Sequence, residues 1–375
     1  MIKRVKNAIK NIIIKISIVM IFLWSFIGTK GQLIEDLAVP VGIGYDLEKR
    51  NKGDVYYSIP IATYISDPSG EIKSEVITGR AKNIGETRGK RQLRSEKKFL
   101  LGLEKVLIIS ESYAQYGINN ILDILLNSPQ VNDRAVMVVC KGKAEDILNY
   151  KIKGYSNAAD YIESLIINSK YYNFFSGEYN FINSITRVDA EGRNLVLPYI
   201  ELKENLPEVT GIAIFKGDTM IGKLDLQQAK IVNLIRKDSG GGIFTIKKGS
   251  KRYIDYETKV KRKVKCYKQG EKYKFIIDLN LNGTVASNEL YENFNKDPKV
   301  QKEFVKDMEE SIKKTCEDFI NSTKSQYKVD FLSLGKYAAA KYGRHTGVDW
   351  NKVVSESDIY VNVKVKVNAE GRGEY

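Results

Sequence analysis

The sequence predicts an α+β protein, with a three-domain mixed α/β architecture that follows an N-terminal signal or anchor helix. Three patterns support this prediction: an apolar segment behind a basic N-terminus, alternating strands and helices through residues 105–170, and long alternating strands flanking an amphipathic helix near the C-terminus. A length of 375 residues is enough for two or three domains. We expect a signal or anchor segment at residues 1–31, an α/β domain at 32–194, a middle domain at 195–255 and an α+β domain at 256–375.

The N-terminal segment has the charge pattern of an export signal. Basic residues, the last of them Lys10, precede an apolar run from Ile12 to Ile27 that Lys15 interrupts. The charge-free residues 16–27 have the length of a signal-peptide core, whereas residues 12–28 reach the roughly 17 residues that just span a bilayer. The segment is therefore interpreted as a signal peptide or an uncleaved membrane anchor. Either one places the rest of the chain outside the cytoplasm.

The domain at residues 32–194 opens with strand patterns on both sides of the turn residues 51–54, which predicts a hairpin. Between its strand residues, Gly42 and Gly44 lack the third glycine and the following helix of a phosphate loop. They therefore indicate a bulge or close backbone packing. Further along, strands alternate with helices, which predicts at least one parallel pair of strands. The predicted strands are 37–46, 55–62, 105–109 and 135–140, and the predicted helices are 86–99, 118–126, 143–149 and 158–168.

The remaining domains combine hairpins with two longer helices. A turn at residues 216–218 joins two strands in the middle domain, and glycines at 240–242 interrupt the chain before the next strand. In the last domain a helix from residue 297 to about 323 carries apolar side chains on one side. The predicted strands are 195–202, 210–215, 220–224, 243–246, 260–267, 273–282 and 359–367, and the predicted helices are 226–235, 297–323 and 331–341.

Composition excludes several functions. The net charge of +14 is dispersed and comes mostly from lysine, and no base-reading motif accompanies it, so we expect no nucleic-acid partner. The basic residues fit either a solubilising surface or a surface that faces anionic lipid or cell-wall polymer. Cys140, Cys266 and Cys316 form no disulfide framework or zinc spacing, so neither is expected. His345, the only histidine, lies between glycines like a turn residue. Residues 189–193 fit a polar turn better than a cation site.

No recognisable catalytic constellation occurs, so the chain is predicted to be non-enzymatic and to need no cofactor and no metal. The aromatic residues at 171–175 fit a ligand groove or protein interface, with core filling as the commoner use. From the residues alone, the chain is an exported, membrane-associated binding or assembly module. An exported enzyme or binding protein acting on cell-wall polymer is the alternative, which the basic charge and the 23 tyrosines would suit.

Several stretches, in order along the chain, resemble the Ger(x)C family, the C subunits of spore germinant receptors. Residues 33–46, LIEDLAVPVGIGYD, are similar to the opening signature of that family, ELNDLAIVxGIGID. The segment TGIAIFKGD at residues 210–218 resembles GxAVFKxD, and the closing strand IYVNVKVKV at 359–367 resembles VNVKVKI. Residues 101–110, 123–129 and 221–225 are also similar to family segments.

The resemblance implies a subunit on the extracytoplasmic face of the spore inner membrane that partners two integral membrane subunits and responds to small germinants. It leaves open whether this subunit binds germinant directly. Family members usually carry a lipobox cysteine near the position of Gly28, and no cysteine occurs in the first 139 residues. We therefore expect the apolar segment to stay uncleaved and to act as a single N-terminal anchor in place of lipid. The candidate interface residues, next to the bilayer, are Asp36, Gly42, Gly44 and Asp46.

Overall fold

The structure, a computed structural model, describes residues 2–27, 36–49, 54–66, 72–176, 178–236 and 240–368. The predicted turn at 51–54 and the start of the signature at 33–35 fall wholly or largely outside these residues. The helices are α1 Ile2–Ile27, α2 Glu86–Gln92, α3 Glu111–Tyr116, α4 Asn119–Leu126, α5 Ala144–Leu148, α6 Ala158–Ser169, α7 Phe181–Val188, α8 Leu226–Arg236, α9 Pro298–Tyr327, α10 Gly335–Tyr342 and α11 Trp350–Glu356. The strands are β1 Leu37–Lys49, β2 Val55–Ser66, β3 Ile72–Ala81, β4 Lys98–Phe99, β5 Val106–Ser110, β6 Val136–Cys140, β7 Val196–Lys203, β8 Leu206–Lys216, β9 Thr219–Asp225, β10 Gly241–Gly249, β11 Arg252–Gln269, β12 Lys272–Asn288 and β13 Asp358–Val367.

Sheet 1 is built from the strands β1 to β9 and has the order β3-β2-β1-β5-β6-β7-β8-β9, with β4 pairing with β1. The predicted hairpin is confirmed, because β1 and β2 pair antiparallel. The predicted parallel pairing is confirmed as well, since β1, β5, β6 and β7 run parallel at the centre of the sheet. Every residue of β5 and β6 is buried, as expected for apolar strands covered on both faces.

The two faces of sheet 1 carry different cores. One core lies under α3, α4 and α7 and includes Ile43, Tyr45 and Leu107. The other lies under α5, α6 and α8 and continues without interruption into the second sheet. Sheet 1 and sheet 2 therefore share one hydrophobic core.

Sheet 2 has the order β10-β11-β12-β13, and its apolar face packs against α9. Alternate residues of β11 and β12 point toward the helix, which explains their two-residue burial pattern. The helix α9 begins at Pro298, and the carboxylate of Asp297 caps it by accepting a hydrogen bond from the N–H of Lys299 at 2.8 Å. Phe304, buried in α9, packs edge-on against Tyr256 of β11.

The predicted mixed architecture with an N-terminal helix is confirmed, and some elements differ from expectation. The helix expected at residues 86–99 ends at Gln92, because Lys98 and Phe99 pair with β1. The strands β3 and β4 and the helices α3, α7 and α11 were not predicted. The expected domain boundary at 194/195 lies just before β7, inside sheet 1, and the boundary at 255/256 lies inside β11.

Candidate functional site

Asp46 connects the signature strand, which is β1, to the helix α5. It lies near the end of β1 and is only 2% exposed, and its carboxylate accepts hydrogen bonds from the backbone N–H groups of Ala144 at 2.7 Å and Glu145 at 2.9 Å. These are the first N–H groups of α5, which lack partners within the helix. Burial raises the pKa of Asp46 to about 6, although both hydrogen bonds oppose the shift.

Gly42 and Gly44 allow the helices α5 and α6 to approach β1. A methyl group added at Gly44 would lie 2.6 Å from Pro60 Cγ and 2.9 Å from Ala144 Cβ. One added at Gly42 would lie 2.8 Å from Ala159 Cβ, and the register of β1 against β2 shifts between Pro40 and Gly42. The predicted bulge and the predicted close packing are both confirmed.

The structure separates the four candidate interface residues. Gly42, Gly44 and Asp46 share the buried face of β1, where a partner does not reach them in this conformation. Asp36 lies just before β1 and is exposed. The first three residues can therefore influence a partner only through the conformation of β1 and α5, whereas Asp36 is accessible for direct contact.

A polar turn after α7 docks onto the C-terminal part of the chain. Glu191 accepts hydrogen bonds from Trp350 Nε1 at 2.8 Å and from the backbone N–H of His345 at 2.9 Å, which lower its pKa. Gly192 has a φ of +68° and approaches the backbone of Gly335 so closely that an added methyl group would lie 2.3 Å from its carbonyl carbon. The polar turn predicted at residues 189–193 is thus a junction between distant parts of the sequence.

A second polar group continues this junction into the interior. The guanidinium of Arg236, at the end of α8, donates to the carbonyl oxygens of Phe331 at 2.7 Å and Asn194 at 3.4 Å. Asp330, 1% exposed, accepts from the backbone N–H groups of Leu334 and Gly335 at 3.0 and 2.7 Å. Burial raises the pKa of Asp330 to about 6 and lowers that of Arg236 to about 9. We call Glu191, Gly192, Asn194, Arg236, Asp330 and Trp350 the junction cluster.

The described residues offer no metal site, and their thiols are not activated. They contain no group of three or more histidine, cysteine or acidic side chains placed to hold a metal ion. Cys140, Cys266 and Cys316 are free and buried, and burial raises the pKa of each thiol. His345 lies exposed in a bend with a φ of +58°, in agreement with its prediction as a turn residue.

The aromatic cluster at residues 171–175 divides between core and surface. Phe174 and Phe175 are buried in the shared core, whereas Tyr171 and Tyr172 are exposed. The two tyrosines border a groove of about 1060 Å³ over the open face of sheet 2. Two rows of side chains cross this face, and in each row an asparagine of β12 lies between a lysine of β11 and a lysine of β13. These lysines form no ion pair among the described residues. One row is Lys259, Asn282 and Lys366, and the other is Lys261, Asn280 and Lys364.

The helix α1 exposes its apolar side chains. The large hydrophobic side chains from Ile9 to Trp24 are 46–77% exposed. Among the described residues, no helix is both long enough and apolar enough to cross a membrane.

Sequence reasoning missed the junction cluster. Arg236 ends an apolar helix and Asp330 follows a helix in a short loop, and neither position stands out in the sequence. The signal that could have found the junction is Gly192, a glycine in a polar turn, but its partner Gly335 lies far along the chain.

Comparison with known proteins agrees with this architecture. Residues 30–202 match the model of the spore germination protein N-terminal domain, and residues 210–371 match that of the spore germination B3/GerAC-like C-terminal domain. The spore germination protein GerQC of Bacillus cereus is 23% identical over 345 residues, which are 91% of this chain and 94% of that protein. The spore germination protein YndF of Bacillus subtilis strain 168 is 22% identical over 71% of this chain and 67% of its own length.

A solved structure has the same fold. The crystal structure of the GerBC protein superposes with a TM-score of 0.54 at 13% identity and covers 90% of this chain and 99% of that chain. The two domain matches define the chain as a GerAC-type spore germination protein. It belongs to the Ger(x)C family.

Proposed function

We propose that the chain is a non-enzymatic, extracytoplasmic subunit of a spore germinant receptor, which assembles with two integral membrane subunits and couples germinant sensing to germination. The observation that carries this proposal is the pair of family matches, an N-terminal domain at residues 30–202 followed by a C-terminal domain at residues 210–371. The relatives are named as spore germination proteins, and none of their names describes an enzyme.

Membrane attachment at the extracytoplasmic face of the spore inner membrane is part of the proposal. The support is α1, whose large hydrophobic side chains from Ile9 to Trp24 are exposed. An apolar helix inserted into the bilayer boundary binds more strongly as more apolar area is buried. In this proposal α1 serves as the single anchor and replaces the lipid that the missing cysteine would have carried.

The proposed coupling depends on a rigid connection between the two sheets. A ligand or partner shifts a conformational equilibrium only through contacts that differ between two states. In this proposal the shared core and the junction cluster hold sheet 1 and sheet 2 together, so that a displacement at one sheet reaches the other. Asp36, exposed just before β1, is our candidate for direct contact with a membrane subunit.

The test is a germination assay with spores that lack this chain. We expect these spores to form normally and to lose the response to at least one germinant that triggers intact spores, with the response restored when the full chain is expressed again. Spores that respond normally to every germinant of intact spores would contradict the proposed function.

A further inference from the structure

Two adjoining cavities lie on the α2 side of sheet 1, close to the signature strand. The larger is an open cleft of about 340 Å³, and the smaller is an inner cavity of about 50 Å³. They share four lining residues, which are Ile61, Arg88, Arg91 and Leu101. All the lining residues belong to the described part of the chain.

Arg91 is a buried cation without a carboxylate partner. It is 6% exposed, and its Nη1 donates to the carbonyl oxygen of Ile59 at 3.3 Å and to Thr87 Oγ1 at 3.0 Å. Within the described residues, no acidic side chain lies within ion-pair distance of Arg91, and its other N–H groups have no hydrogen-bond partner.

The buried acid Glu104, which like Arg91 acts on Tyr45, is held by other groups. Glu104 is fully buried, and its carboxylate accepts hydrogen bonds from the backbone N–H groups of Gly102 at 3.1 Å and Asn132 at 3.0 Å. Burial lowers the pKa of Arg91 only to about 10, so the guanidinium remains charged at neutral pH. An unpaired buried charge is costly, and a bound anion would offset that cost.

The rest of the lining selects the kind of anion. Ile61, Phe99 and Leu101 give the cleft an apolar wall, while Gln92 and Gln130 add amide groups. Arg88, exposed at the rim, donates to Ser128 Oγ at 2.6 Å and adds a second positive charge. A buried cation in an apolar cleft, with a second cation at the rim, fits a ligand with one anionic group and an apolar body.

We propose that this cleft binds a small organic carboxylate with an apolar body. The guanidinium of Arg91 pairs with the carboxylate, as planar guanidinium groups do. Ile61, Phe99 and Leu101 enclose the apolar body, and Arg88 adds charge at the entrance. Because Arg91 is also bonded to β2, the hairpin partner of the signature strand, occupancy would act on β1 through β2. Only that consequence depends on the proposed receptor function, and the binding itself does not.

The experiment is a calorimetric titration of the full chain in detergent with 4-methylpentanoate and with its uncharged amide, 4-methylpentanamide. We expect the carboxylate to bind in the millimolar range or tighter and the amide to bind at least about tenfold more weakly. Arg91→Gln should weaken carboxylate binding by at least about tenfold. The matched control is Arg94→Gln, because Arg94 follows the same helix, donates to the carbonyl oxygen of Thr78 at 3.2 Å and lines neither cavity.

A second variant guards against misfolding of Arg91→Gln. Leu101→Trp fills the cleft and leaves the guanidinium in place, so it should abolish binding of both probes. Equal binding of the carboxylate and the amide, undiminished binding in Leu101→Trp, or no binding to the unaltered chain at high millimolar concentration would each overturn the proposal. None of these outcomes bears on the germination assay, so failure of the cleft and failure of the receptor function are distinguishable.

Discussion

Replacement of Gly192 by alanine should separate the turn at residues 189–193 from the start of α10 in the junction cluster. Gly192 has a φ of +68°, and the added methyl group would lie 2.3 Å from the carbonyl carbon of Gly335 and 2.4 Å from the backbone nitrogen of Lys336. Both contacts are with backbone at the start of α10, which does not yield as a side-chain end would. The turn or α10 must therefore move.

The expected loss of stability in Gly192→Ala has two contributions, and the matched control Gly217→Ala has only one of them. Gly217 has a φ of +59° and open space around it, so Gly217→Ala carries only the cost of the left-handed conformation, about 1–2 kcal/mol. Gly192→Ala carries that cost and an overpacking cost of about 1–3 kcal/mol. We therefore expect Gly192→Ala to lower the free energy of unfolding by about 1–3 kcal/mol more than Gly217→Ala.

The assay is urea unfolding of the full chain, followed by tryptophan fluorescence. Of the two tryptophans, Trp350 is buried at the junction, where its Nε1 donates to Glu191, and Trp24 is exposed on α1. The native emission of Gly192→Ala should therefore shift to longer wavelength, while that of Gly217→Ala should stay unchanged. If the two variants lose the same stability within about 0.5 kcal/mol and share one native spectrum, the close contact at the junction is refuted.

Three further predictions concern the signature strand and α1. Gly44→Ala should push α5 away from Asp46 and lower the free energy of unfolding in urea by about 1–3 kcal/mol. The control Gly89→Ala, in α2 with nothing within 4 Å of the added methyl group, should raise it by about 0.4–1 kcal/mol. Equal effects of the two variants would contradict the close packing at Gly44. Burial raises the pKa of Asp46 from 3.8 to about 6, so the contribution of this residue to stability falls as pH rises from about 4 to about 6, by up to about 3 kcal/mol. Asp46→Asn should remove that much of the pH dependence of stability. An unaltered pH profile would refute the burial of Asp46. Deletion of residues 2–27 should abolish flotation of the protein with phospholipid vesicles, and a truncated chain that still floats would show that α1 is not the anchor.

The sequence is informative where the structure is local. The buried strands β5 and β6 follow from continuous apolar runs, and the hairpin of β1 and β2 follows from two strand patterns around a turn. The close packing at Gly42 and Gly44 was predicted because glycines inside a strand leave room for another element. The strand β3 was missed because its first half is exposed and polar, so it lacks an apolar alternation.

The candidate sites depend on contacts between distant residues, which a single sequence does not reveal. Glu191 and Trp350 are 159 positions apart, so only the fold brings them together. Arg91 lies in a charged stretch that is typical of a solvated helix, and its burial results from packing against β2 and β3. Asp46 was predicted as an interface residue, whereas its carboxylate faces inward and accepts hydrogen bonds from the N-terminus of α5.

The central claim is that the chain is a membrane-attached receptor subunit held in place by partner subunits. The most direct measurement is fractionation of intact spores beside spores that lack the two membrane subunits, with N-terminal sequencing of the recovered protein. We expect the protein to keep its N-terminal segment and to lie in the inner membrane of intact spores, and we expect it to be lost or displaced without the partners. A soluble form in both kinds of spore, trimmed near residue 31, would contradict the anchor and the receptor function alike.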